Sequence, residues 1–454
     1  MSTVPSTHRR GRRTAAALAV AASLTLTAAA CTGQSSGGQG STGSSSAPVT
    51  ITFWHGWSQP NELKAINANI AAFEATHPNI KVHAVSNVTD DKINQALRAG
   101  GDNAPDVVSS FTTNNVGQFC NSHEWVDLDP LLQKDGIDKA TTFSKAMLDY
   151  TNYKGNQCAL PLLGDAYGLY YNTDMFKAAG IASPPKTWTE FEQDAVKLTK
   201  SSGGTYSQLG FMPLYHGYET TTEHYAAQFG PTGWFGSDGK SSIATDPAFA
   251  GALNEQKKLT DLLGGYKQLD KFRTTFGDEF SAKNPFETGQ VAMSMDGEWR
   301  VASIKGDGVK LDYATAPLPV PDNQLSTYGK GYQTGTIIGM AASSKKQAAA
   351  WEFLKFLTTD TKALVSFANA ISNVPSTLAA LKDPSLDHSP AFQTFLDVAA
   401  NPNSNTTPAT PNGGAYLVTF QNLGYKYESG QVTDLNTALK TTAAQIDADL
   451  AQAQ

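Results

Sequence analysis

Hydrophobic and polar positions alternate with a period of two along Val49-Thr50-Ile51-Thr52-Phe53-Trp54, then change to helical spacing at Leu63, Ile66, Ile70 and Phe73. His77-Pro78 closes that helix, and Ile80 to Val85 alternates again. A strand, a helix and a second strand in this order form the unit of a parallel sheet. Pro105-Asp106-Val107-Val108 adds a third strand that empties into the polar loop Ser109 to Asn115. The pattern continues downstream. Gly168 to Tyr171 is strand-like, and Thr187-Trp188-Thr189-Glu190 has the form of a capping box before the helical face Trp188, Phe191, Ala195 and Leu198. Asp246-Pro247 opens another helix, with Asp as N-cap and Pro in the first helical position. Val291 to Met295 reads as a buried strand ending at Asp296-Gly297-Glu298-Trp299, and Ala348, Trp351, Leu354 and Leu357 mark a further buried helical face. The fold class expected is α/β. Two proline-bearing passages, Ala159-Leu160-Pro161-Leu162 and Ala316 to Pro321, interrupt strand-like text and are expected to cross between lobes, since proline is excluded from central strands.

The first 48 residues follow none of these patterns. Four arginines between His8 and Arg13 precede a charge-free, alanine-rich run that ends in Ala28-Ala29-Ala30 before Cys31, the arrangement of a secretory leader over residues 1–30. It resembles a bacterial lipoprotein signal, which implies lipid on Cys31, although Ala28 stands where such signals favour leucine. Ordinary secretion with cleavage nearby is the alternative. Thr32 to Pro48 is Gly, Ser, Thr and Gln with scarcely an apolar side chain, a composition that reads as a flexible tether. The chain is acidic, with 34 Lys+Arg against 41 Asp+Glu, and no basic block interrupts its body, so nucleic acid is not an expected partner. With Cys31 set aside, only Cys120 and Cys158 remain. In an exported chain two cysteines suggest a disulfide, with free buried thiols as the alternative; neither has a partner at metal-ligand spacing, so no metal and no cofactor is expected.

The order and spacing of several segments together resemble the maltose-type extracellular solute-binding proteins that serve ABC sugar importers. These are Ile51 to Trp57, Pro105 to Val108, Leu160-Pro161 through Tyr170-Tyr171-Asn172, Pro184 to Trp188, Phe286 to Met293 with Gly297-Glu298-Trp299, and Gly335 to Ala341 with Trp351 and Leu354. The resemblance implies two α/β lobes of the periplasmic-binding-protein type, built discontinuously and hinged. Residues 49–162 with 318–370 would form lobe 1, and 163–317 with 371–454 lobe 2. It implies a monomer on the outer face of the cell membrane, held by its lipid anchor, that closes over a carbohydrate, a di- or oligosaccharide being favoured, and passes it to the membrane-spanning permease subunits.

Ligands of open α/β sheets bind beyond the carboxyl ends of the strands, and sugars call for aromatic faces beside planar polar groups. His55 and Trp57 follow the first strand, Thr113 and Asn114 the third, Asp165 and Tyr167 the first crossing, and Glu298 and Trp299 the Met293 strand. Within the resemblance, Trp299 keeps the stacking aromatic and Asp165 the acidic residue after the crossing proline. The aromatic and charged pair after Val108 gives way to Ser110 and Thr113-Asn114, and the acid of the first loop to Trp57-Ser58, which argues against maltose itself. Tyr218, Tyr332 and Tyr416 complete the candidate set. Two rival classes remain. A secreted glycosidase would use Asp165 and Glu298 as paired carboxylates flanking one bond. A metal receptor would use Tyr170-Tyr171, but adjacent strand residues face opposite ways. No H-E-x-x-H, G-x-S-x-G or complete phosphate-loop motif is present.

Overall fold

The computed structural model describes residues 48–101 and 104–453, so the leader, Cys31 and the tether before Pro48 lie outside the described residues. Twelve strands occur among them: β1 Val49–Trp54, β2 Ile80–Val85, β3 Val107–Ser110, β4 Asn152–Tyr153, β5 Asn156–Gln157, β6 Leu160–Asn172, β7 Lys200–Ser202, β8 Thr205–Phe211, β9 Val291–Gly297, β10 Tyr313–Ala316, β11 Gln333–Met340 and β12 Val374–Pro375. The main sheet runs β2-β1-β3-β11-β6-β9-β8-β7, with β10 and β12 also on β6. β1 lies parallel to β2 and β3, as the strand–helix–strand pattern requires, and the helix Pro60–Thr76 buries Ile66, Ile70 and Phe73 against them.

β6 organises the molecule. Its first half pairs antiparallel with β11 and β12 (Leu160↔Ile338, Gly164↔Val374), and its second half with β9 and β10 (Tyr167↔Gly297, Tyr171↔Ala314). The strand therefore leaves one lobe and enters the other at Ala166–Tyr167 without a break. Pro161 is accommodated where the β11 register shifts between Thr336 and Ile337, so a proline does sit in a central strand, at an irregularity that needs no donor there.

Two separate hydrophobic cores fill the lobes. The first holds Ile51, Phe53, Val107, Leu160, Ile337, Trp351 and Leu354. The second holds Leu169, Trp188, Phe191, Phe211, Phe249 and Met293. Val374, Phe392, Phe395 and Val398 belong to the first core, whereas Leu318 and Tyr332 belong to the second. In the proline passage at 316–321, Val320 pairs with Thr187, its N–H bonding Lys186 O at 3.0 Å while its carbonyl accepts from Trp188 N–H at 3.1 Å. The return crossing is made by Tyr332 to Thr336, at the start of β11.

Helix starts follow their local signals. Thr187 Oγ1 accepts from Glu190 N–H while Glu190 reaches back to the Thr187 N–H, and Asp246 accepts from Ala248 N–H at 3.0 Å. No described helix is long and apolar enough to cross a membrane.

Cys120 and Cys158 are disulfide-bonded, joining the helix Asn115–Asn121 to the approach of β6 across 38 residues of sequence. Replacing both by serine is expected to lower stability by about 4 kcal/mol, the loop-closure value for that length, read as an earlier midpoint in urea with little change in slope. An unchanged midpoint would assign the bridge no stabilising role.

Candidate functional site

The loops after β1 and β3 end against the segment that follows β9, and between them lies a cavity of about 910 Å³. Gly56, Ser58 and Phe111 line it from the loops after β1 and β3, and Phe280, Trp299 and Ser303 from the segments before and after β9. Both strand-end loops lie at carboxyl ends, where an α/β sheet presents its backbone and side chains to ligand. Phe111 and Phe280 are 49% and 67% exposed, unusual for phenylalanine, and both bound this opening.

Trp299 begins the helix Trp299–Asp307 and is half-buried, its ring edge-on to Tyr167 at 5.5 Å. It lies directly over Gly297, where any Cβ would collide with the ring, so that glycine sets the tryptophan's position. Tyr167 continues the aromatic surface: His224 stands 3.9 Å away and Tyr332 5.8 Å. Burial holds the His224 pKa down at about 4, so this imidazole is neutral and belongs to the aromatic wall. Tyr332 is fixed by a 2.9 Å hydrogen bond between its hydroxyl and that of Thr407.

At the crossing of β6, Asp165 and Glu298 share one donor. Asn373 Nδ2 donates to Asp165 Oδ1 at 2.8 Å and to Glu298 Oε1 at 2.6 Å, and the Ala166 N–H donates to Glu298 Oε2 at 2.8 Å. Burial raises both carboxyls, Asp165 to about 7. Two carboxyls on one amide nitrogen leave no room between them for the glycosidic bond that a hydrolase pair must flank. The second acidic group is braced by a cation. Arg300, 1% exposed, donates from Nε to Asp296 at 2.8 Å and from Nη1 to the Glu279 carbonyl at 2.8 Å and to Glu287 at 3.3 Å, and its guanidinium lies 5.5 Å from the Phe280 ring centre. Phe280 is thus backed on one side and open on the other.

The remaining expected residues are placed as follows. Thr113 Oγ1 lies 3.3 Å from Thr334 Oγ1, near the return crossing. Asn114 is half-buried against Gly414, where a Cβ would strike it. The Tyr218 hydroxyl donates to the Gly277 carbonyl, and its ring packs on Phe276. Tyr416 is 2% exposed between Trp234 and Phe235, with its hydroxyl on the Pro408 carbonyl, which makes it a packing residue. His55 and Trp57 are corrected in the same way. Each is at most 2% exposed, and their rings form a row with Phe53 inside the first core, Trp57 meeting Phe367 at 4.9 Å. The bonds Val88 N–H to His55 O and Asn87 N–H to Trp57 O tie the loop down and turn both rings inward. Phe111, two residues before Thr113, takes the exposed aromatic place in that region, and Phe280 lies in no recognised motif; an aromatic isolated in polar text was the only signal for either. Tyr170 and Tyr171 diverge: Tyr170 donates to Gly297 O, whereas Tyr171 packs on Phe176. Among the described residues no cluster of three or more His, Cys, Asp or Glu is arranged to hold a metal ion.

Two lobes joined by a continuous strand around an aromatic and acidic cleft define a solute receptor. Residues 56–363 match the family of bacterial extracellular solute-binding proteins, and the chain belongs to that family. It is a binding protein, not an enzyme. The maltotriose-binding protein of Pyrococcus abyssi is 22% identical over 377 residues, covering 80% of this chain and 74% of that protein. The diacetylchitobiose-binding protein DasA of Streptomyces coelicolor is 27% identical over 354 residues, 77% and 78% of the two chains. Among solved structures, CpMnBP1 with mannotriose bound superposes with a TM-score of 0.73 at 27% identity, covering 87% of this chain and 99% of that one.

Arg300→Met would leave Asp296 and Glu287 buried without their cation. Stability is expected to fall by about 3–5 kcal/mol, measured by urea unfolding at pH 7.5. A loss below about 1 kcal/mol would mean that the carboxyls take up protons in its absence.

Proposed function

We propose that this protein captures an oligosaccharide between its lobes and delivers it to the membrane-spanning subunits of an ABC importer. The observation that carries the proposal is the cavity of about 910 Å³ bounded by aromatic faces, Phe111 from the loop after β3 and Phe280 and Trp299 from the segments before and after β9. Its volume lies near the upper end for small-molecule sites, which favours more than one sugar unit. Aromatic rings supply apolar faces for sugar C–H groups, and Asp165, partly exposed at the crossing, supplies a polar group for hydroxyls. The maltotriose, diacetylchitobiose and mannotriose proteins to which the chain is similar agree with this ligand class. A ligand touching both lobes favours the closed arrangement by its differential affinity, and closure is read by the importer.

Residues 49–454 should show a raised unfolding temperature with one glycan among mannotriose, maltotriose and diacetylchitobiose, since ligand at 100 times its Kd adds about 2.7 kcal/mol. Trp299→Ala should weaken that binding at least tenfold, about 1.4 kcal/mol, by calorimetry, with the fold intact by circular dichroism. Shifts with amino acids or metal salts alone would refute the sugar class.

We further propose that the chain acts as a monomer at the outer face of the cell membrane, with Cys31 carrying lipid and residues 32–48 as tether. The support is the leader sequence and the uncharged Gly/Ser composition behind it. Cys31→Ser should move the protein from the membrane fraction to the medium; retention on the membrane would rule out the anchor.

A further inference from the structure

Three chain segments meet at one point of the hinge. Asp165 is on β6 immediately before the crossing, Glu298 follows β9, whose Gly297 pairs with Tyr167, and Asn373 precedes β12, whose Val374 pairs with Gly164. Glu298 is 0% exposed and both its oxygens are engaged, one by Asn373 and one by the Ala166 N–H. It therefore has no free edge for a ligand. Asp165, its partner on the same amide, is the member that reaches the surface. Asn373 is aimed at both by Ser372, which ends the helix Thr361–Ile371 in the left-handed conformation (φ 54°) and itself lines the cavity.

Two ionised carboxylates buried on a single donor would repel strongly, and nothing facing them offers a compensating charge. From the helix Lys145–Thr151 comes the Tyr150 hydroxyl, buried and without a partner. From β6 come Tyr167 and Tyr170, from the segment before the helix Thr222–Phe229 comes Glu219, and from β9 comes Asp296, whose negative charge Arg300 already matches. We infer that Glu298 and Asn373 are positioning residues: one proton held between Glu298 and Asp165, with the Asn373 amide donating to both, fixes the Asp165 carboxyl at the hinge for the ligand, and capture weakens when that proton is lost. Burial raises Asp165 to about 7 and raises Glu298 as well, so the pair begins to lose its protons near neutrality. The inference rests on the sugar-binding reading only for its affinity consequence.

The sign follows from linkage. A carboxyl raised in the folded state keeps its proton after the unfolded chain has released its own, so stability falls as pH rises from about 4 through about 7, and falls further above that for as long as Glu298, also raised, stays protonated. Relative to Glu298→Gln, the ligand-free wild-type chain should show an unfolding constant that grows at least about tenfold across that window, about one pKa unit of difference. Asp165→Asn should remove the same dependence from the other side and serves where Glu298→Gln fails to fold. Matching pH profiles in wild type and both variants would overturn the shared proton, whatever the ligand. Calorimetry with mannotriose should then give a wild-type affinity about five- to tenfold lower at pH 8.5 than at pH 6, a Glu298→Gln affinity level within twofold across the same range, and Asn373→Ala weakened at both. A wild-type affinity independent of pH would overturn the positioning role while the unfolding arm still stood. Absence of binding by mannotriose, maltotriose and diacetylchitobiose at both pH values would overturn the sugar reading and the positioning role with it, leaving the proton pair to the unfolding measurement.

Discussion

The two lobes are held in relation by the hydrogen-bond ladder of β6, a 13-residue strand that contributes side chains to both cores. A strand can serve two bodies in this way because its backbone groups pair locally, whichever side chains lie above and below. β11 and β12 satisfy the first half, and β9 and β10 the second. The partner changes between Ala166, paired with Gln333, and Tyr167, paired with Gly297. Asp165, Tyr167, Glu298 and Trp299 all lie within a few residues of that change on β6 or on the end of β9.

The chemistry of the cleft follows from how much acid has been packed beside it. Asp296, Glu287 and Glu279 converge on Arg300, and Glu298 with Asp165 converge on Asn373. Burial disfavours charge on each of these carboxyls, and a single guanidinium offsets it in part for Glu279, Glu287 and Asp296 and not for the Asp165–Glu298 pair. The result is a polar wall with less charge than its composition implies. Such a wall, beside Trp299, Tyr167 and Phe280, matches a neutral polyhydroxylated molecule, with apolar faces and hydroxyl edges together, better than it matches an ion. Gly297 contributes by its missing side chain: the Trp299 ring occupies the space where a Cβ would stand.

Helix starts and strand segments were largely readable from the chain. The capping box at Thr187, the Asp246-Pro247 start and the alternation of β1 and β2 are local devices, and each determines its element through neighbours a few residues away. The α/β class followed from their order. That Trp299 lines the cavity could be expected because Asp296-Gly297 puts it on a turn after a buried strand, a relation contained within five residues.

Orientation within loops was a different matter. His55 and Trp57 follow a strand end as binding residues do, yet bonds from Asn87 and Val88 turn them into the core, and Phe111 faces the cleft instead. Phe280 acquires its place from Arg300, twenty residues on, and Glu298 loses its access to ligand through Asn373, 75 residues on. The proline passage at 316–321 takes its pairing from residues 186–188. By itself the sequence determined which segments are strands and helices, since periodicity and capping act over one or two turns of chain. Only the tertiary structure decided which side chains face the cleft and where the lobes join, because those choices depend on partners brought close by folding from distant positions.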